Sequence, residues 1–300
     1  SAKGAVSQAF ASLVPNTTYY ARATALAFNG ANQTSGVSAG KATLAAAPTG
    51  AALGGETSAA ITASWSTTNG ADTFYRVELA TSADFTAVDR TSTSAKGAVS
   101  QAFASLVPNT TYYARATALA FNGANQASGV SAGLATLAVA PTGAALGAET
   151  AATITATWAT TNGGETFYRV ELSTSADFTA VDRTSTSAKG AVSQAFASLV
   201  PNTTYYARAT ALAFNGANQT SGVSAGKATL AAAPTGAALG GETSAAITAS
   251  WSTTNGADTF YRVELATSAD FTAVDRTSTS ARGAVSQAFA SLVPNTTYYA

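Results

Sequence analysis

The chain has 300 residues, only 10% of them charged, and its 15 basic and 15 acidic side chains cancel to a net charge of zero. It contains no Cys, Met or His, which excludes disulfides, thiol chemistry and the commonest metal ligand. A basic patch for nucleic acid is missing, and no apolar run approaches the roughly 20 residues of a membrane helix.

Self-similarity overrides any domain count drawn from length. Ser1-Ala2-Lys3-Gly4 returns at Ser94, at Ser187 and, with Arg282 replacing the Lys, at Ser280, a spacing of 93 residues that suits one sandwich domain. Residues 187–300 repeat residues 1–114 except for Lys96 becoming Arg282. The intervening copy differs, for example Thr34 against Ala127, Lys41 against Leu134, Ser66 against Ala159 and Asp72 against Glu165. This period predicts the C-terminal part of a repeat at 1–45, complete repeats at 46–138 and 139–231, and the N-terminal part of a further repeat at 232–300. Neither end piece could bury a full core alone. Residues 280–300 duplicate residues 1–21 apart from Arg282 for Lys3, which favours a window cut from a longer array over strand exchange between subunits.

Residues 46–138 serve for all copies. Pro48 stiffens a short domain junction, and a first edge strand follows at Ala51 to Leu53. Ile61, Ala63 and Trp65 alternate with Thr62, Ser64 and Ser66, the period of a strand with one buried face. After a turn through Asn69 and Gly70, a strand over 74–79 puts Tyr75, Val77 and Leu79 on one face and Arg76 and Glu78 on the other, read as a solvated charged face. Residues 80–90 read as a connection or short edge strand. Val99, Gln101 and Phe103 share a face of the next strand, with Leu106 entering the core. In the strand over 112–120, Tyr112, Ala114, Ala116 and Ala118 point inward and Tyr113, Arg115 and Thr117 outward. Its small inward residues leave a thin core for the facing Trp and Tyr rings to fill. A turn-rich loop at 121–126 and a last strand over 130–137 complete the period, and no window sustains a helical repeat.

The run Leu13-Val14-Pro15-Asn16-Thr17-Thr18-Tyr19-Tyr20-Ala21-Arg22 recurs from Leu106 and Leu199, and begins again at Leu292. It resembles the entry to strand F of fibronectin type III domains, where Leu, Pro and Tyr stand at these relative positions. Trp65, Trp158 and Trp251 resemble the strand B Trp of that family. The resemblance implies an all-β fold of tandem seven-stranded, immunoglobulin-like β-sandwiches forming a rod, each advancing the axis by ~30–40 Å. It also implies core packing by those three Trp and by Tyr19, Tyr112 and Tyr205, whose hydroxyls would bond back to nearby backbone. Ala in strand F, where the family carries larger aliphatics, is the departure.

Few residues suggest chemistry. Asp84 and Asp89 could pair for acid and base work, but no nucleophile, His or phosphate loop accompanies them. Asn69, Asp72 and Asp84 are hard oxygen ligands on loops that could hold calcium, but without the density of an Asp-rich loop they read as turn residues. No Arg-Gly-Asp tripeptide occurs, and Lys41 and Lys96 are replaced in other copies by Leu134 and Arg282, so the array does not depend on isopeptide bonds at either. Sequons at Asn16, Asn32, Asn109, Asn202, Asn218 and Asn295 offer glycan acceptors, although Asn after Pro is also a turn former. Tyr20, Tyr113, Tyr206, Phe28, Phe121 and Phe214 recur as large rings on a surface poor in charge and form a candidate assembly stripe. The expectation is a non-catalytic, cofactor-free structural protein of an extracellular filament, sheath or surface layer that associates with itself. The rival is the stalk or spacer of an adhesin or of a secreted polysaccharide-acting enzyme.

Overall fold

The computed structural model describes residues 4–300, so the Ser1-Ala2-Lys3 start of the 1–45 piece lies outside the described residues. Among the described residues the fold is all β, without helix. Its contacts divide it into two compact units. One takes Ser1–Val139 with Thr161–Gly163 and Ala213–Ala217; the other takes Ala140–Thr160, Gly164–Leu212 and Asn218–Ala300.

The first unit opens with β1 (Thr18–Tyr19), β2 (Thr24–Ala25), β3 (Gln33–Thr34) and β4 (Lys41–Ala42), which form only the short ladders β1–β4 and β2–β3. It continues with β5 (Thr49–Gly54), β6 (Ile61–Ser66), β7 (Tyr75–Ala80), β8 (Arg90–Thr93), β9 (Ser100–Phe103), β10 (Thr111–Ala118), β11 (Gln126–Ala127) and β12 (Leu134–Ala135). These eight strands make two antiparallel sheets, ordered β5-β6-β9 and β11-β10-β7-β8, with β12 also on β10. If β11 and β12 count as one interrupted strand, this is the strand order of a seven-stranded fibronectin type III-like sandwich.

The second unit repeats the set as β13 (Thr142–Gly147), β14 (Ile154–Ala159), β15 (Tyr168–Ser173), β16 (Arg183–Thr186), β17 (Ser193–Phe196), β18 (Thr204–Ala211), β19 (Gln219–Thr220) and β20 (Lys227–Ala228), in the same two orders. It ends with β21 (Thr235–Gly240), β22 (Ala246–Ser252), β23 (Arg262–Leu265), β24 (Arg276–Thr279) and β25 (Ser286–Ala290), which give a β21-β22-β25 sheet and a β23-β24 pair.

The period-two pattern of β6 decides the core. Ile61, Ala63 and Trp65 are buried, whereas Thr62, Ser64 and Ser66 face outward. Across from them β10 offers Ala114, Ala116 and Ala118, paired in register with Leu79, Val77 and Tyr75 of β7. Those methyl groups leave volume that the Trp65 and Tyr75 rings fill, tilted with centroids 5.2 Å apart. The repeated pair Trp158 and Tyr168 stands at 5.3 Å. The indole N–H of Trp65 and of Trp158 has no hydrogen-bond partner, a cost of about 1–3 kcal/mol that ring packing must offset.

Several expectations are corrected. Glu78 does not face solvent: its side chain is 10% exposed and bonded to Arg115. Val99 is exposed, one residue before β9 begins at Ser100. Thr117, expected outward, is buried, since β7 and β11 flank it at Arg76 and Ala127. The edge strand offered as one reading of residues 80–90 lies later, at Arg90–Thr93. The last strand is broken into β11 and β12. Between them the Ser128 and Ser131 hydroxyls accept the Ala116 and Ala114 N–H groups at 3.0 and 2.9 Å, so side chains supply ladder bonds that a strand would. At the ends, Tyr19 and Trp251 are half-buried rather than core: among the described residues β1 pairs only with β4, and the sheet facing Trp251 is the two-stranded β23-β24 pair.

Candidate functional site

The residues that do most beyond folding a single sandwich are those of the Pro-Asn-Thr corner. Its local geometry follows from the sequence. The Val14 N–H donates to the Tyr19 hydroxyl at 3.0 Å, and the Thr17 hydroxyl donates to the Pro15 carbonyl at 3.1 Å. The Thr43 hydroxyl accepts the Thr17 N–H and donates to the Val14 carbonyl at 2.7 Å. Asn16 takes a left-handed φ of 50°, tolerable for Asn, which aims its side chain out of the corner. Tyr112 and Tyr205 make the same bond to the N–H groups of Val107 and Val200, at 3.1 and 3.2 Å.

Asn16 spends its amide on the following sandwich. Its Nδ2 donates to Thr73 Oγ1 at 3.0 Å and to the Leu119 carbonyl at 3.1 Å, and its Oδ1 accepts the Phe121 N–H at 2.9 Å. Beside it the Gly70 N–H donates to the Pro15 carbonyl at 2.9 Å. Gly70 is dictated by this approach, because a Cβ there would lie 2.5 Å from Thr17 Oγ1. Asn69 holds the linker: its Oδ1 accepts the Ala46 N–H and its Nδ2 donates to the Ala46 carbonyl, both at 2.8 Å. The Asn-Gly dipeptide thus fixes its own linker with one residue and receives the preceding corner with the next. Each bond contributes roughly 0.5–1.5 kcal/mol, so the set is worth a few kcal/mol per junction.

The arrangement recurs. The Gly163 N–H donates to the Pro108 carbonyl at 2.8 Å, and the Phe214 N–H to Asn109 Oδ1 at 2.9 Å. Asn162 brackets Val139 at 2.8 and 2.7 Å. In the second unit the Gly256 N–H donates to the Pro201 carbonyl at 2.8 Å, Asn202 Nδ2 donates to Thr259 Oγ1 at 2.9 Å, and Asn255 brackets Ala232 at 2.7 and 2.8 Å. Sequence reasoning took Asn69 and Gly70 for a turn; the signal available was that Pro-Asn-Thr and Asn-Gly recur together in every period.

This placement overturns part of the glycan expectation. Asn16 and Asn109 are each 1% exposed, and both use side-chain oxygen in a junction bond, so a glycan has no room there. Asn202 is half-buried with its amide nitrogen engaged by Thr259. Asn32, Asn218 and Asn295 lie at the surface.

The candidate assembly rings divide. Tyr113 and Tyr206 are half-buried, each lying over a glycine of its own last strand: a Cβ on Gly133 or Gly226 would meet the ring at 2.9 Å. Phe121 and Phe214 belong to the junction through their N–H groups, with rings about half exposed. Tyr20 and Phe28, in the 4–45 piece, are exposed. A cleft of about 580 Å³ beside the first junction is lined by Asn16, Thr17, Phe74 and Phe121, with the exposed Asp72 to Lys96 pair at 3.3 Å on its rim.

A second cluster covers the outer face of the β7–β10 pair. Glu78 lies opposite Arg115 and accepts its Nε–H at 2.7 Å, with Arg76 at 3.5 Å. The Phe85 ring, held at a φ of 52°, lies 4.5 Å from the Arg115 guanidinium. Glu171, Arg208, Arg169 and Phe178 repeat it.

The residues considered for chemistry are occupied locally. The Asp84 carboxyl is held below its usual range first by the Ser82 hydroxyl, then by the Thr86 N–H and hydroxyl. That favours a permanently ionised turn residue over a proton donor. Asp89 pairs with Arg90 at 3.3 Å. Among the described residues no group of three or more acidic side chains is placed to hold a metal, and no helix is long and apolar enough to cross a membrane.

No family model and no curated protein sequence matches this protein. Among solved structures it is similar to the FN1–FN3 domains of chicken CNTN1, at 18% identity over 84% of this chain and 90% of that one, with a TM-score of 0.32. It is also similar to a segment of two fibronectin type III domains from chicken tenascin, at 14% identity over 60% of this chain and 97% of that one, with a TM-score of 0.38. The strand order identifies the sandwich independently of these likenesses.

Proposed function

We propose that the protein is a non-catalytic structural array, its repeats bounded at 46–138 and 139–231, which builds an extracellular filament, sheath or surface layer. The observation that carries this reading is the junction. Pro15 and Asn16 meet Gly70, Thr73, Leu119 and Phe121 through side-chain and backbone bonds, and matching bonds recur at the next two copies. A flexible tether needs no such bonds, whereas an array of fixed pitch needs them at every step. The near-absence of charge supports lateral self-association, because Ser, Thr, Ala and Gly surfaces desolvate at low cost. Asn32 and Asn218 remain as surface acceptors for glycans.

The junction serves the spacer of an adhesin or of a secreted polysaccharide-acting enzyme equally well, and one experiment separates the two. Electron microscopy of the purified native material should show filaments or sheets with a regular axial repeat. Unassociated threads that each carry a distinct globular module would assign the spacer role instead, and separate particles with neither feature would overturn both.

A further inference from the structure

Six Asn-Gly dipeptides occur in the sequence, in two structurally distinct sets. Three belong to the junctions, Asn69-Gly70, Asn162-Gly163 and Asn255-Gly256. Three lie in the exposed loop that precedes the last strand of each copy, Asn29-Gly30, Asn122-Gly123 and Asn215-Gly216. We propose that the loop set are sites of spontaneous deamidation and that the junctions protect the other set.

The chemistry requires only water and base. The glycine backbone nitrogen, on losing its proton, attacks Cγ of the Asn; a bond forms between that nitrogen and Cγ to give a five-membered imide, the bond from Cγ to Nδ2 breaks, and ammonia leaves. Water then opens the ring at either carbonyl, leaving Asp or its backbone-lengthened isomer. Glycine favours the step because no Cβ shields its nitrogen. Two atoms therefore decide the rate, the glycine nitrogen and the departing amide nitrogen.

At the junctions both are held. Asn69 Nδ2 donates to the Ala46 carbonyl at 2.8 Å and to Thr67 Oγ1 at 3.0 Å, while the Gly70 N–H is bonded to Pro15 of the preceding copy. Freeing the glycine nitrogen means separating two repeats, and freeing the amide nitrogen means detaching the linker. At the loop Asn-Gly pairs themselves the bonds are local. Asn122 Oδ1 accepts the Ala124 N–H at 3.0 Å, which leaves the amide nitrogen toward solvent, and the Gly123 N–H makes one turn bond to the Ala120 carbonyl at 2.9 Å. Asn29 and Asn215 repeat this pattern with Ala31 and Ala217. A loop of this kind opens without disturbing either sheet.

The product matters for the array. Each event adds a carboxylate to a protein of zero net charge. At Asn122 the lengthened backbone begins one residue after Phe121, whose N–H holds Asn16 across the junction. Deamidation of the loops therefore loosens the contact between repeats as the protein ages.

The test is incubation of the intact protein at mildly alkaline pH, followed by trypsin and fragment-ion mass spectrometry. Cleavage after Arg115 and Arg169 yields a single peptide, residues 116–169, that contains both loop Asn122 and junction Asn162. Asn122 should convert about tenfold faster than Asn162 in the folded protein, a difference of the size that local opening against global protection gives, and the two rates should converge in denaturant. Equal rates in the folded protein would overturn the proposal. So would an unmodified Asn122 under conditions where the denatured protein converts fully.

Discussion

Residues 46–114 and 232–300 are the same sequence apart from Lys96 and Arg282, yet they are packed differently. In the first, Trp65 and Ile61 are buried; in the second, Trp251 and Ile247 are only half-buried. β7 spans Tyr75–Ala80, whereas its counterpart β23 spans Arg262–Leu265. The Glu78 side chain is 10% exposed and the Glu264 side chain 31%. What lies beyond the shared segment in the first case is Arg115–Ala118 of β10 with its partners β11 and β12. The inner-face pattern is thus a property of the segment, while its burial is a property of the Ala-lined strand that closes the second sheet over it.

The largest effect should appear when each region reports on itself. With Trp158→Phe and Trp251→Phe, Trp65 is the sole indole; with Trp65→Phe and Trp158→Phe, Trp251 is. In a polypeptide cut to residues 1–300, the Trp251 reporter should emit further to the red and unfold at lower denaturant, by a margin exceeding the roughly 3–5 kcal/mol of a single large-to-small core change. Coincident emission and midpoints would show that β10 contributes no burial.

Tyr112→Ala, read through Trp65, should cost about 3–5 kcal/mol, since it removes a buried ring and its bond to the Val107 N–H. The matching Tyr298 is half-buried, though it makes the same bond to Val293 at 3.1 Å. Tyr298→Ala, read through Trp251, should therefore cost distinctly less. Equal losses would place the value of the corner in its hydrogen bond rather than in packing.

Asn16→Ala removes three side-chain bonds and strands the Phe121 N–H and Thr73 hydroxyl at a buried junction. A loss of about 1–3 kcal/mol is expected in the Trp65 transition. An unchanged midpoint would mean that the junction joins the repeats without stabilising them.

These contrasts mark what could be read from residues alone. Strand identity and inward phase were legible because Ile61, Ala63 and Trp65, or Tyr112, Ala114 and Ala116, alternate with polar residues over lengths that only a strand satisfies. The role of Asn16 was not legible, because a sequon, a turn and an inter-repeat clamp all call for Asn after Pro, and partners 57 and 105 residues away decide among them. Glu78 was misplaced for a related reason: outward phase ordinarily means solvent, and only the return of Phe85 over Arg115 covers that face. β8 has too little apolar content to fix the place of the edge strand that residues 80–90 left open; its pairing with β7 sets it at Arg90–Thr93.

Glu78→Gln breaks the pair with Arg115 and should cost about 1–2 kcal/mol, below the range for fully buried pairs because Arg115 is 33% exposed. Among the described residues Glu264 forms an ion pair with Arg262 alone, at 3.2 Å and with Arg262 largely in solvent, so Glu264→Gln should change the Trp251 transition by no more than ~0.5 kcal/mol. Losses of equal size would assign the effect of Glu78 to its local pair with Arg76 instead of to the cross-strand one.

The smallest effect is the one in which the two regions should agree. Asp84 and Asp270 are each held by groups two residues to either side, Ser82 and Thr86 in one case, Ser268 and Thr272 in the other. In both the carboxyl is lowered from 3.8, with the serine hydroxyl as the main cause. A lowered carboxyl binds its proton less readily folded than unfolded, so its contribution to stability is present above the unfolded value and is lost as pH falls through the folded one. None of these partners comes from β10 or from another repeat, so closure of the second sheet should not matter. Carboxyl carbon shifts followed by NMR should titrate Asp84 and Asp270 together, both below 3.8, in the same protein that separates Trp65 from Trp251. If Asp270 titrates as an ordinary carboxylate while Asp84 stays low, the 81–89 loop is shaped by the closed sheet beneath it, and local hydrogen bonding does not hold it alone.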